Sequence, residues 1–267
     1  MKKILSLLLL PLFLQGFVEK GTGDKHVLLL HGFCANTFTW RDQVDTLSAA
    51  GYHVWAIDFT GFGKSCKNAE NYSLELYEKQ VKNFMQQHRI PSAHIVGHSM
   101  GGFIALTFTQ KYPSCVRSLF LLAPAAYPLK LPTILAKCPA PLLSLLITET
   151  TLRLALKRIF YNNACITNER VAAYWAPFET PGGKEAAIKV LSLWDCLKGR
   201  SYKNIQAPTF LMWGDKDRIV PLEQCALLKK EITCAEAMII PLCGHAPQEE
   251  CPTAVNKALL SFLKKVS

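Results

Sequence analysis

Six residues, Gly97-His98-Ser99-Met100-Gly101-Gly102, constrain this chain more than any other stretch. The apolar run Ala93 to Val96 before them has strand composition. Phe103-Ile104-Ala105-Leu106 and Phe108 after them read as an opening helix. A strand end, a sharp turn and a helix start leave one serine at the apex, and G-x-S-x-G in that setting is a nucleophile elbow. Such a turn holds the serine in a strained backbone conformation, so its neighbours must be small. The helix start beyond it favours negative charge nearby. The competing account is a glycine-rich turn with an incidental serine, and a motif this short does not decide between them.

The rest of the chain supplies a rhythm. Val27 to Leu30, Tyr52 to Ile57, Ala93 to Val96 and Val116 to Leu122 are short apolar runs of the kind buried on both faces of a parallel sheet. Helical patterns separate them: Phe38 to Ala50, stopped by Gly51; Ser73, as N-cap, to about Arg89; and the helix after Ser99, which runs to Lys111-Tyr112-Pro113. Strand-helix alternation implies parallel strands with right-handed crossovers, and such sheets place ligands at the carboxyl ends of their strands. His31, Asp58 and Ser99 all fall just past such ends.

From about Ala125 the rhythm breaks. Residues 125–204 show no convincing strand, and Pro128, Pro132, Pro139, Pro141, Pro177 and Pro181 punctuate short helical stretches over 142–147, 152–160, 171–175 and 186–197. This predicts a helical insertion. Its apolar residues Leu142, Leu143, Leu145, Leu146, Phe160, Tyr174 and Trp175 would pack on the sheet domain or line a greasy pocket, core packing being the commoner fate. The rhythm resumes with a strand at Pro208 to Trp213, a helix from Leu222 to about Glu231, a strand at Ala237 to Ile240 and an amphipathic helix from Thr253 to Lys265.

Composition narrows the function classes. The 267 residues suffice for one large α/β domain with an insertion, or for two small domains. The net charge of +10 suits a weak contact with a membrane surface or an acidic carrier. The basic residues are scattered and no nucleic-acid motif appears, so a solvated basic surface accounts for most of the charge. None of the ten cysteines has C-x-x-C spacing, which argues against a zinc or thioredoxin-like site. Cys115 and Cys138 read as small buried hydrophobes, and their disulfide state is left open. Residues 1–16 read either as a secretory signal, Met1-Lys2-Lys3 followed by the apolar run 4–14, or as the approach to a first strand over Leu12 to Glu19. Cytoplasmic and exported locations both remain open. The apolar run is short for a membrane span.

A serine hydroxyl is a weak nucleophile at neutral pH and needs a base, itself oriented by a third group. His245, in the loop after the last predicted strand, is the candidate base. Asp215 and Asp217, after the preceding strand, both qualify as the orienting acid. With these residues in place the chain resembles the α/β-hydrolase superfamily from about Phe17 to Leu263, as a capped serine esterase or lipase-like member. The resemblance rests on His31-Gly32-Phe33, Asp58-x-x-Gly61-x-Gly63-x-Ser65, Gly97-His98-Ser99-Met100-Gly101-Gly102, Gly214-x-x-Asp217-x-x-x-Pro221 and Gly244-His245, in the family's order.

The resemblance implies an α/β fold: a mostly parallel, doubly wound sheet, with core segments 17–124 and 205–267 and a helical cap over 125–204. It implies Ser99 as nucleophile, His245 as general base and then acid, and Asp217 rather than Asp215 as the orienting carboxylate. The oxyanion hole would be the backbone N–H groups of Phe33 and Met100. His31 would tie loops together. Cys34 and His98 are candidate substrate-pocket residues, His98 more as packing than as a base. No metal or organic cofactor and no obligate protein partner is implied. The expected reaction is hydrolysis of a carboxylic ester, or a thioester, of a small apolar or acyl substrate through an acyl-serine. A carbon–carbon bond hydrolase or an acyltransferase on the same triad is the alternative. The loop His31-Gly32-Phe33-Cys34-Ala35-Asn36 lacks the Gly-Pro-Gly of carbon–carbon hydrolases, which demotes that class. A non-catalytic ligand-binding protein of this fold is the alternative of another kind.

Overall fold

The computed structural model describes residues 16–129 and 138–267. The apolar run 4–14 and Pro132 lie outside the described residues. Seven strands form one sheet in the order β1-β3-β2-β4-β5-β6-β7. They are β1 (Phe17–Lys20), β2 (His26–Leu30), β3 (His53–Ile57), β4 (Ala93–His98), β5 (Val116–Leu122), β6 (Thr209–Gly214) and β7 (Ala235–Ile240). All pairings are parallel except β1 with β3, which is antiparallel. This is the mostly parallel α/β-hydrolase sheet that the motifs imply.

Burial follows position in the sheet. All six residues of the central β4 are buried, whereas β1, at one edge, is exposed throughout. Edge β7 carries Glu236 and buries only its ends. Side chains alternate between faces. Leu28 and Leu30 of β2 join a core with α2 (Leu74–Gln87), α3 (Met100–Lys111) and α8 (Glu223–Glu231), through Val81, Phe84, Phe103, Leu106 and Leu228. Val27 and Leu29 join the opposite core with α1 (Arg41–Ala49) and α10 (Pro252–Val266), through Val44, Leu47, Val255 and Leu259.

Local signals explain the elements. Ser73 caps α2, its Oγ accepting the Leu76 N–H at 3.2 Å. The stretch predicted as one helix from Phe38 opens instead with a 3-10 turn at Thr37–Trp40, capped by Asn36, before α1 starts. A short helix missed in the sequence, α9 (Pro247–Glu250), follows the last sheet loop.

Between β5 and β6 the described residues form helices only: α4 (Ala140–Leu146), α5 (Glu149–Ile159), α6 (Asn168–Glu179) and α7 (Gly183–Val190), with 3-10 turns at Asn163–Cys165 and Leu191–Leu197. Leu156, Phe160, Val171 and Tyr174 from this segment form a small separate cluster with Ala35 and Ala246, residues of the loops after β2 and β7. Two expectations need correction. Cys115 is buried, but Cys138 is only half-buried. Leu142 and Leu145 do not pack inward; Leu145 is 74% exposed. They sit on the outer side of a seven-residue helix whose inner side is taken by Leu143.

Candidate active site

The site is assembled at the carboxyl ends of β2, β4, β6 and β7. Ser99 follows β4 directly, with φ 51° and ψ −114°. A side chain in that region costs about 1–3 kcal/mol and persists only where the surroundings impose it. The Ser99 N–H donates to Leu122 O at 3.0 Å, while Ser99 O accepts from both Phe103 N and Ala125 N, so the turn is bonded on three sides. The glycines around it are required by close approach. A Cβ on Gly101 would lie 2.2 Å from Leu30 O, and one on Gly97 would lie 2.7 Å from Gly101 O.

Asp217 and His245 come from neighbouring loops. His245 Nδ1 lies 2.8 Å from Asp217 Oδ2, and both side chains are buried. The other oxygen of Asp217 accepts from Ile219 N at 2.8 Å and Val220 N at 2.9 Å, which fixes the carboxylate. Asp215 turns away, pairing with Lys216 at 3.0 Å. With Nδ1 committed as donor to the carboxylate, Nε2 is the acceptor in the neutral ring. The His245 backbone is held at both ends: its N–H donates to Ile159 O at 2.7 Å, and its carbonyl accepts from His98 Nε2 at 2.8 Å. Among the described residues the Ser99 hydroxyl has no hydrogen-bond partner. Catalytic contacts of this kind commonly tighten only in the substrate complex.

The candidate oxyanion donors are placed differently from one another. Met100 is the first residue of α3, so its N–H has no intrahelical acceptor. Phe33 follows Gly32, which packs on the serine turn: a Cβ built there would lie 2.8 Å from His98 Nδ1 and 3.3 Å from Ser99 Cβ. Among the described residues the Phe33 N–H donates to nothing. His31 ties the β2 and β3 loops, its Nδ1 donating to Gly32 O at 2.7 Å and its Nε2 accepting from Phe59 N at 2.9 Å. Burial lowers its pKa, with the Asp58 carboxylate opposing. Asp58 binds the loops too, through Thr37 N at 2.7 Å and Lys64 N at 2.8 Å.

His98 departs from its expected place. It lines no part of the apolar cavity between Phe33, Cys34 and the helices after β5; its ring is buried against His245, 4.8 Å between centroids. Burial, reinforced by the His245 ring, holds its pKa well below the ordinary histidine value. It buttresses the His245 loop as a neutral ring. Cys34 does line the cavity, at φ 55°, and burial raises its thiol pKa, so it stays protonated.

That cavity measures about 400 Å³ and lies under α4, α5, α6 and α7. Ser99 is not among its walls. It meets the site through Phe33 and Cys34 on one side and Ile159, the partner of the His245 N–H, on the other. No charged side chain lines it among the described residues.

One residue of this region carries no sequence signal. Glu249, four positions after His245, has a fully buried carboxylate. Oε2 accepts from Arg170 Nε at 3.0 Å and Arg41 Nη1 at 3.1 Å; Oε1 accepts from Thr39 Oγ1 at 2.7 Å and from the Tyr174 hydroxyl. It joins α9 to α6 and to the 3-10 turn before α1.

A family model described as the alpha/beta hydrolase fold matches residues 25–252. The chain belongs to the α/β-hydrolase fold family. It is a hydrolase. A curated relative, the 2-hydroxy-6-oxo-6-phenylhexa-2,4-dienoate hydrolase of Burkholderia cepacia, is 31% identical to this α/β-hydrolase over 92% of the chain and 89% of its own length. Among solved structures, a meta-cleavage product hydrolase of Pseudomonas fluorescens superposes with a TM-score of 0.83 at 23% identity, covering 94% of each chain. An esterase of Thermogutta terrifontis does so with a TM-score of 0.79 at 23% identity, covering 94% of this chain and 93% of its own. These superpositions show the fold alone. The Burkholderia relative is named for the class that the missing Gly-Pro-Gly had put second, not for a carboxylesterase.

Proposed function

We propose that this α/β-hydrolase cleaves uncharged carboxylic esters, or thioesters, with an apolar acyl group, through an acyl-Ser99 intermediate and beneath a helical cap over 125–204. The observation that carries the reading is the cavity, whose walls include Leu143, Leu146, Leu152, Leu156 and Ile188 and hold no charged side chain among the described residues. An acyl chain is stabilised there by about 0.8 kcal/mol per buried CH₂.

In this mechanism the substrate carbonyl settles over Ser99, and the hydroxyl closes its hydrogen bond to His245 Nε2. The oxygen attacks the carbonyl carbon as Nε2 takes the proton, and Asp217 stabilises the imidazolium. The N–H groups of Phe33 and Met100 receive the oxyanion, each contributing about 2.7–4 kcal/mol to the transition state. His245 returns the proton to the leaving alcohol. Water, deprotonated by the same ring, then releases the acid.

Carbon–carbon hydrolysis is the second reading, and the name of the Burkholderia relative favours it. Against it stands charge. A dienoate is an anion, and a carboxylate moved from water into a dry apolar cavity costs several kcal/mol unless a cation meets it.

A panel of p-nitrophenyl esters from acetate to dodecanoate, assayed beside 2-hydroxy-6-oxo-6-phenylhexa-2,4-dienoate, separates the two. The ester reading expects kcat/KM to rise with chain length, and Ser99→Ala to abolish turnover while the protein stays folded. Dienoate turnover a hundredfold above that of the best ester would replace it with the carbon–carbon reading. Wild-type turnover by Ser99→Ala would remove the serine from both. Product analysis with added alcohol reports acyl transfer.

A further inference from the structure

We propose that the outer face of α4 and α5 docks on an anionic phospholipid bilayer, and that lipid acyl esters enter the cavity from there. This deepens the ester reading and rests on it for the substrate, though not for the docking.

The two helices are two-faced. On α5, Leu152, Leu156 and Ile159 look into the cavity. Leu154 is 57% exposed, next to Arg153 in sequence and three and four positions before Lys157 and Arg158 on the same helix. On α4, Leu143 is buried against the cavity while Leu142 and Leu145 stand in solvent. Leu146 belongs to both faces: it lines the cavity and is 45% exposed. Leu146 thus connects the exposed side of α4 to the cavity.

Charge selects the occupant. Arg153 is paired with Glu149 at 2.8 Å, but among the described residues Lys157 and Arg158 form no ion pair. An exposed leucine beside unpaired Lys and Arg on the amphipathic α5, next in sequence to the leucine-rich α4, is the chemistry of an interfacial segment, which buries the apolar residues at the acyl boundary and leaves the cations among anionic headgroups. The whole chain carries a net charge of +10, of the same sign. A second copy fits poorly, because a two-fold contact through this patch would set its cations against themselves.

The test uses the full chain carrying Ser99→Ala, so that binding is read without turnover. It is floated with vesicles of phosphatidylcholine and phosphatidylglycerol at 7:3, and with phosphatidylcholine alone, at 0.1 and 0.5 M NaCl. The expected result is flotation with the anionic vesicles that falls at the higher salt. It should drop at least tenfold in Leu142→Gln/Leu145→Gln/Leu154→Gln and in Lys157→Glu/Arg158→Glu, with unchanged melting temperatures. With Ser99 restored, the leucine triple variant should turn over p-nitrophenyl butyrate within twofold of wild type and release fatty acid from the vesicles at least tenfold more slowly. No flotation, or flotation indifferent to both variants, overturns the docking. A concentration-dependent dimer abolished by the leucine variant, without vesicle binding, assigns the face to a second copy. Flotation without fatty-acid release overturns lipid esters as substrate, and loss of p-nitrophenyl butyrate turnover in the wild type separately overturns the ester reading.

Discussion

Replacing Glu249 by Gln tests whether the helices over the cavity are held by charge. The carboxylate is fully buried and receives four side-chain donors, two of them guanidinium groups. Arg170 is nearly as buried, its side chain 8% exposed, whereas Arg41 reaches solvent. Gln preserves the shape, so packing is almost unchanged. It removes the charge that compensates Arg170 and turns one accepting oxygen into an NH₂ that faces other donors. Removing one partner of a buried pair typically costs about 3–5 kcal/mol. At roughly 2–4 °C per kcal/mol for a domain of this size, the melting temperature should fall by roughly 6–20 °C. Urea unfolding, with the midpoint and slope recorded separately, measures the loss. The double variant Glu249→Met/Arg170→Met removes the buried pair and should be more stable than Glu249→Gln alone, because no isolated buried cation remains; Arg41 reaches solvent and keeps Asp42. A Glu249→Gln protein within about 1 kcal/mol of wild type, a surface-pair value, would refute the reasoning. So would a double variant less stable than the single by more than that margin.

Three further outcomes follow from the geometry. Ser99→Gly should be more stable than Ser99→Ala by about 1 kcal/mol in urea, since glycine relieves the strain at φ 51° while gaining unfolded-state entropy; equal midpoints would mean the turn stores nothing. Gly101→Ala should cost about 2–3 kcal/mol, because its Cβ would meet the Leu30 carbonyl at 2.2 Å and backbone must move; a neutral result in the same assay would contradict that close approach. Stability should fall as pH drops below about 6.5: His31, His94 and His98 all have folded pKa values below their unfolded ones, so the unfolded state binds more protons there. For His94, pushed down to about 4 by burial and by Arg117 and Lys25, the loss between pH 6.5 and 4 is on the order of 2–3 kcal/mol, and His94→Gln should flatten part of the slope in melts across that range.

Much of the fold was legible because its signals are local. The run Val27 to Leu30 suited a strand buried on both faces, Ser73 announced α2, and the glycines of the serine turn announced a backbone crowded by its neighbours. The choice of Asp217 over Asp215 was legible only through the family motif, and the His245 contact agrees with it. Other features had no local signal. The antiparallel pairing of β1 depends on a strand far along the chain. Leu142 and Leu145 have core composition, and their exposure depends on which side of α4 the cavity occupies. His98 was a candidate for pocket lining or for packing, and packing won through a carbonyl 147 positions later.

By itself the sequence determined most element types, the order of the strands and main helices along the chain, and which side chains have the chemistry to act: a hydroxyl, an imidazole and a carboxylate, each in a loop after a strand. These depend on periodicity, backbone sterics and residue type, all of which act over a few residues. The tertiary structure alone decided that those loops lie side by side, that Glu249 knots three distant segments together, and that one face of α4 and α5 is left to solvent. Those outcomes depend on a strand order that interleaves the chain, so that contacts are made between residues whose sequence separation carries no trace of them.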